Sequence, residues 1–170
     1  MKAPRSFVAS AHVNRQDAEG ALRAVEALAG EGVLELVDAA VVVKSESGRI
    51  ELHQRRELSP GEGAVGGGVI GVVAGLVLGL PFALPAAGIA LGAGAGAFDR
   101  GIDNARMRRL GADLEPRHAA LCALVGKADW PAVRERMAPY AGELLVAELS
   151  PEAAAALQAA QAAEPASDGD

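Results

Sequence analysis

The chain has 170 residues, enough for one domain of ordinary size and too few for two of average size. Its formal net charge of −6 and pI of about 5.1 argue against a nucleic-acid partner. Alanine (38) and glycine (21) dominate, aromatics number five, and a single Cys122 excludes an intrachain disulfide framework and a cysteine-based zinc site. The N-terminal Met1-Lys2-Ala3-Pro4-Arg5 is followed by no apolar run, which predicts no secretory signal, and neither end reads as a lipidation site.

The first elements read as strand, helix, strand, strand. From Ser6 to Val13, Phe7, Ala9, Ala11 and Val13 alternate with Val8, Ser10 and His12, the period of a strand. Asn14 is placed to cap a helix from about Gln16 to Gly30, with Ala18, Leu22, Val25 and Ala29 at helical spacing and Gly30 or Gly32 as its stop. A second strand is expected over 33–44. Ser45-Glu46-Ser47-Gly48 forms the turn into a more polar third strand over 50–58.

The middle of the chain is different material. The 36 residues from Gly63 to Phe98 carry no charged or polar side chain and hold 11 of the glycines. Ser59-Pro60-Gly61-Glu62 fits a capping box opening a helix to Leu80. Pro81 and Pro85 bracket a break, and a second helix follows from Ala86 to Phe98. Gly67, Gly71, Gly75 and Gly79 recur every four residues, as do Gly88, Gly92 and Gly96, so each helix carries a smooth groove on one face. Small residues at that spacing let backbones approach closely inside a bilayer. In a water-exposed helix each would cost about 1 kcal/mol against Ala. A buried hairpin of a soluble protein is the competing reading. It lacks the polar face that amphipathic helices keep.

The last segment repeats the first plan. The strand expected over 118–125 is apolar on both faces, the mark of a central position. Asp129 caps a helix from Trp130 to about Tyr140 with Pro131 in its first turn, Gly142 ends it, and 143–149 closes the sheet. Ser150, Pro151 and Glu152 open a final Ala-rich helix to about Ala163, followed by an acidic tail. The expected fold is therefore α+β: a ferredoxin-like domain of two βαβ units, 6–44 and 118–149, with its helices on one face, interrupted by an apolar Gly-rich helical hairpin. The division is 1–58 and 99–150 for the split domain, 59–98 for the hairpin, and 151–170 for the helix and tail.

Closure of that sheet places residues before 60 and after 100 on one side of a membrane, so the insertion must enter and return. Both flanks are basic, Arg55 and Arg56 before it and Arg100, Arg106, Arg108 and Arg109 after it, which places both on the cytoplasmic side. The four arginines after the hairpin are candidates for contact with anionic lipid; the alternative is an ordinary solvated helix face that also holds Asp99 and Asp103.

Val37-Asp38-Ala39-Ala40-Val41-Val42-Val43-Lys44, Gly48-Arg49-Ile50-Glu51-Leu52-His53-Gln54, the glycine hairpin, Asp99-Arg100-Gly101-Ile102-Asp103, Met107, Leu110-Gly111, Leu114-Glu115-Pro116 and Ala120-Leu121 occur in a characteristic order. In these the chain resembles domain-of-unknown-function family 1269, a bacterial family described as predicted membrane proteins, over about residues 6–158. The family more often has an aromatic where Arg100 stands and Gly-Ser where Arg117-His118 stand. The resemblance implies membrane association and no established activity.

Candidate chemistry is sparse. Gly66-x-Gly68-x-x-Gly71 matches the dinucleotide fingerprint in spacing, yet no strand directly precedes it and the next acid is Asp99, so the pattern belongs to the glycine ladder. His12, His53 and His118 read as strand surface or edge residues, with no metal-ligand spacing. Cys122 reads as a small packed hydrophobe. The sequence thus predicts a non-enzymatic, membrane-associated homo-oligomer at the cytoplasmic (inner) membrane, both termini inside. Its partners are its own copies and the lipid bilayer, and no cofactor, metal or nucleic acid is expected. The rivals are a soluble assembly with hairpins in its core, an oligomeric pore or membrane-remodelling protein, and a small-ligand sensor by fold analogy.

Overall fold

Strand β1, Ser6–His12, is buried along nearly its whole length, on both faces. In the computed structural model, which describes residues 5–48, 50–53, 102–140, 143–151 and 154–155, it is one of five strands in a single sheet. The others are β2 (Leu34–Lys44), β3 (Ile50–His53), β4 (Ala119–Ala128) and β5 (Leu145–Glu148), in the order β3-β2-β4-β1-β5. Every neighbouring pair is antiparallel. It follows that β1 and β2 run in the same direction with β4 between them, and β4 and β5 run in the same direction with β1 between them.

Helix α1, Arg15–Gly30, begins where the Asn14 side chain accepts a 2.8 Å hydrogen bond from the Asp17 amide. Ala18, Ala21, Leu22, Val25 and Leu28 form its buried stripe at spacings of three and four. Gly32, not Gly30, is the stop. It lies at φ +76°, its amide bonds Ala29 at 3.1 Å, and the Val33 amide bonds Leu28 at 3.0 Å. That pair of bonds satisfies two of the last carbonyls and requires a left-handed residue. Helix α3, Trp130–Met137, is capped by Asp129, whose Oδ1 accepts from the Ala132 amide at 3.3 Å. The helix expected as far as Tyr140 gives way to a 3₁₀ turn over Ala138–Tyr140, because Pro139 has no amide hydrogen to continue the α-helical ladder.

The sheet has two apolar faces. On one, Val8, Val41, Leu121 and Val125 pack beneath α1 and α3, with Leu22, Val25, Leu28, Val133 and Met137 above them. On the other lie Phe7, Ala9, Ala40, Val42, Ala120, Cys122, Leu124 and Ala147. This second face meets Leu110 of helix α2, Ile102–Asp113, and Leu114 just beyond it. The two helices expected to share a face, α1 and α3, do so, and the further helix α2 lies across β1 and β5 on the opposite side. Full burial of one Leu or Val side chain contributes roughly 1.5–3 kcal/mol, so both layers matter to stability.

The loop from α2 into β4 is tied to the end of β2. Lys44 Nζ donates to the Leu114 carbonyl at 2.8 Å, the Lys44 amide to the His118 carbonyl at 3.0 Å, and the Arg117 amide to the Lys44 carbonyl at 2.7 Å. Arg117 takes the left-handed backbone, φ 71°, and its guanidinium pairs with Glu46. β4 begins at Ala119, so His118 stands in this turn and not in the strand. The Ala154 amide bonds the Ser150 carbonyl at 2.9 Å, a first helical turn where the C-terminal helix was expected.

The third strand is described only to His53. The expected hairpin over 59–98, with Gly67, Gly71, Gly75, Gly79, Gly88, Gly92 and Gly96, lies outside the described residues, as do Arg55, Arg56, Asp99, Arg100 and the tail.

Candidate functional site

The buried polar groups are concentrated at the far end of β1. Alternation puts Ser10 and His12 on the same face as Val8, the face beneath α1 and α3. They are 3% and 5% exposed. Ser10 Oγ lies 2.8 Å from His12 Nε2. The nearby Asp17 carboxylate favours the protonated form of the imidazole, as does the backbone at Tyr140 in the 3₁₀ turn. Burial outweighs both and holds the imidazole below its ordinary value. His12 is therefore neutral at pH 7. The sequence reading of His12 as a surface residue is corrected, and the reason is physical. A polar side chain tolerates burial when each of its groups has a partner, and Ser10 two residues away supplies one.

Beside this pair is a cavity of about 190 Å³. α3 lines it through Arg134 and Met137, the 3₁₀ turn through Ala138 and Tyr140, and the segment entering β5 through Glu143 and Leu144. The Tyr140 ring lies against Gly20 of α1. Glu143 is 3.6 Å from Arg106 of α2, while Arg136 pairs with Glu31 at 2.8 Å. Arg134 is exposed at the cavity and has no acidic partner among the described residues. A larger hollow, about 500 Å³, opens at the other end of β1 beside Arg5, Lys127, Trp130 and Glu148. Its charged side chains are exposed and mixed in sign, and Ser6, 5% exposed, is the buried polar side chain on its lining.

Of the arginines expected to meet lipid, Arg106 and Arg109 are exposed on α2, and Arg108 belongs to the same helix. Asp103 is also part of α2. Cys122 is fully buried in the central strand, and burial pushes its thiol up to about 12, so it is not a thiolate near neutrality. Among the described residues no group of three His, Cys, Asp or Glu side chains could hold a metal ion. Among them, too, no helix is long and apolar enough to cross a membrane. Sequence reasoning missed the Ser10–His12 pair. The signal available was two polar residues, two apart, on one face of an otherwise apolar strand.

These elements define an α+β protein with one antiparallel sheet. A family model, described as a protein of unknown function (DUF1269), matches residues 64–162. The match covers more than half of the chain, and the chain belongs to that family. No curated protein and no solved structure matches it.

Proposed function

We propose that this chain is a non-enzymatic membrane-associated protein that self-assembles through the glycine-ladder hairpin 59–98, with a ferredoxin-like domain carrying it on the cytoplasmic side. The strand order β2-β4-β1-β5 with two interleaved βαβ units supports the ferredoxin-like reading, with β3 as an added edge strand. One observation carries the topology. β3 and α2, which flank the insertion, both belong to one body: β3 pairs with β2, and α2 lies across β1 and β5 of the same sheet. A segment that leaves and returns to one body crosses a bilayer an even number of times or enters and turns back. The basic flanks Arg55, Arg56, Arg100, Arg106, Arg108 and Arg109 favour the cytoplasmic side for both ends, where arginines near anionic lipid gain about 1 kcal/mol each.

Self-assembly is tested on the ladder. Gly71→Ile and Gly75→Ile put a β-branched side chain between close backbones and should dissociate the oligomer in mild detergent; Val72→Ile and Val73→Ile should leave its mass unchanged. Ile has the higher helix propensity of the two, so lost assembly would not reflect lost helix. An intact oligomer in both glycine variants would remove the ladder from the account.

A further inference from the structure

The geometry points to the cavity between the end of β1, α3 and the 3₁₀ turn as a binding site for a small organic carboxylate. This goes beyond the membrane reading and stands if that reading fails. The floor is polar and fixed, because Ser10 and His12 are buried and hold each other at 2.8 Å. One wall is apolar, from Met137 and Leu144. Arg134 stands at the mouth with no acidic partner among the described residues, whereas Arg136 is engaged by Glu31 and Arg106 faces Glu143.

A guanidinium presents a planar fork of donors that matches a carboxylate with two parallel bonds. The cavity, about 190 Å³, has room for a short-chain acid. Charge limits the ligand. Glu143 also lines the cavity, and a single guanidinium opposite a carboxylate favours a monoanion over a dianion such as phosphate.

The test uses the full chain labelled with methyl-¹³C methionine, solubilised in whatever medium keeps it native. It has three methionines, Met1, Met107 and Met137, and Met137 lines the cavity. Butyrate is titrated, with butyramide as its uncharged counterpart and inorganic phosphate as the dianion. Butyrate should move the Met137 methyl resonance saturably, and the other two probes should bind at least about tenfold more weakly. Arg134→Gln, at an exposed helix position, should raise the butyrate Kd about tenfold or more, while Arg136→Gln leaves it within about twofold. The Met137 resonance of each unliganded variant, matched to the parent, certifies the fold. Equal binding of butyrate and butyramide, an unchanged Kd in Arg134→Gln, tighter binding of phosphate, or no saturable shift each overturns the assignment.

Discussion

The two faces of the sheet are built from different side chains, and adjacent residues of β4 show it. Leu121 points under α1 and α3, among Leu22, Val25, Leu28 and Met137; Cys122 points the other way, among Ala9, Ala40 and Ala120. The face under α1 and α3 is filled chiefly by branched side chains, among them Val8, Leu22, Val25, Leu28, Val41 and Leu121. The opposite face sets four alanines, Ala9, Ala40, Ala120 and Ala147, among Phe7, Val42, Leu124 and Leu145. Each of those alanines gives its neighbours few atoms to touch, so the dispersion and transfer gain is lower at those positions. The difference teaches where the fold's stability is concentrated and where truncations are tolerated.

The sharpest way to break this comparison is a pair of leucine truncations. Leu121→Ala should cost the upper part of the roughly 2–5 kcal/mol range for buried leucine, because stiff neighbours cannot collapse into the space. Leu114→Ala should cost the lower part of that range, because it stands just beyond α2 in a loop that can settle into the space. Urea unfolding of both variants at one pH measures the gap, and equal losses would remove the asymmetry. A smaller effect is expected at the caps of α1 and α3. Asn14→Ala should cost about 1 kcal/mol by freeing the Asp17 amide, and Asp129→Ala less, since its cap bond is longer, 3.3 Å against 2.8 Å.

The pH dependence gives the smallest and most local effect. Burial depresses His12, so below its ordinary value of 6.5 the unfolded chain takes a proton that the native state refuses. Its contribution is fully present above 6.5 and is lost as pH falls from there towards the depressed native value, levelling off below it. His12→Gln should flatten the loss of stability between pH 7 and pH 5, by a fraction of a kcal/mol to about 1 kcal/mol. An unchanged slope would mean that other groups carry the acid sensitivity.

Much of this architecture was legible in the sequence. The doubly apolar run of β4 placed it at the centre of the sheet, and it is the middle strand of five. Asn14, Asp129 and the Gly48 turn, φ +78°, stand where their chemistry put them. The second layer was not legible, because its apolar contacts among the described residues, Leu110 of α2 and Leu114 just beyond it, stand inside a stretch dominated by charge. Two contacts do not raise a periodic signal above Arg106, Arg108, Arg109 and Asp113. The polar pair was hidden for a related reason. Strict alternation at Phe7, Ala9 and Ala11 reads as one wet face, whereas β1 sits between β4 and β5 with helices on both sides. Burial there comes from tertiary placement, which alternation along one strand does not encode.

The central claim, that the uncharged run 63–98 holds this chain in a membrane, is tested most directly by fractionating cells that express the full chain and washing the membranes with carbonate. The account predicts that the protein stays in the washed pellet and needs detergent for release, as expected of a segment with no charge in 36 residues. A monodisperse species in the high-speed supernatant without detergent would contradict it and leave a soluble assembly with buried hairpins in its place.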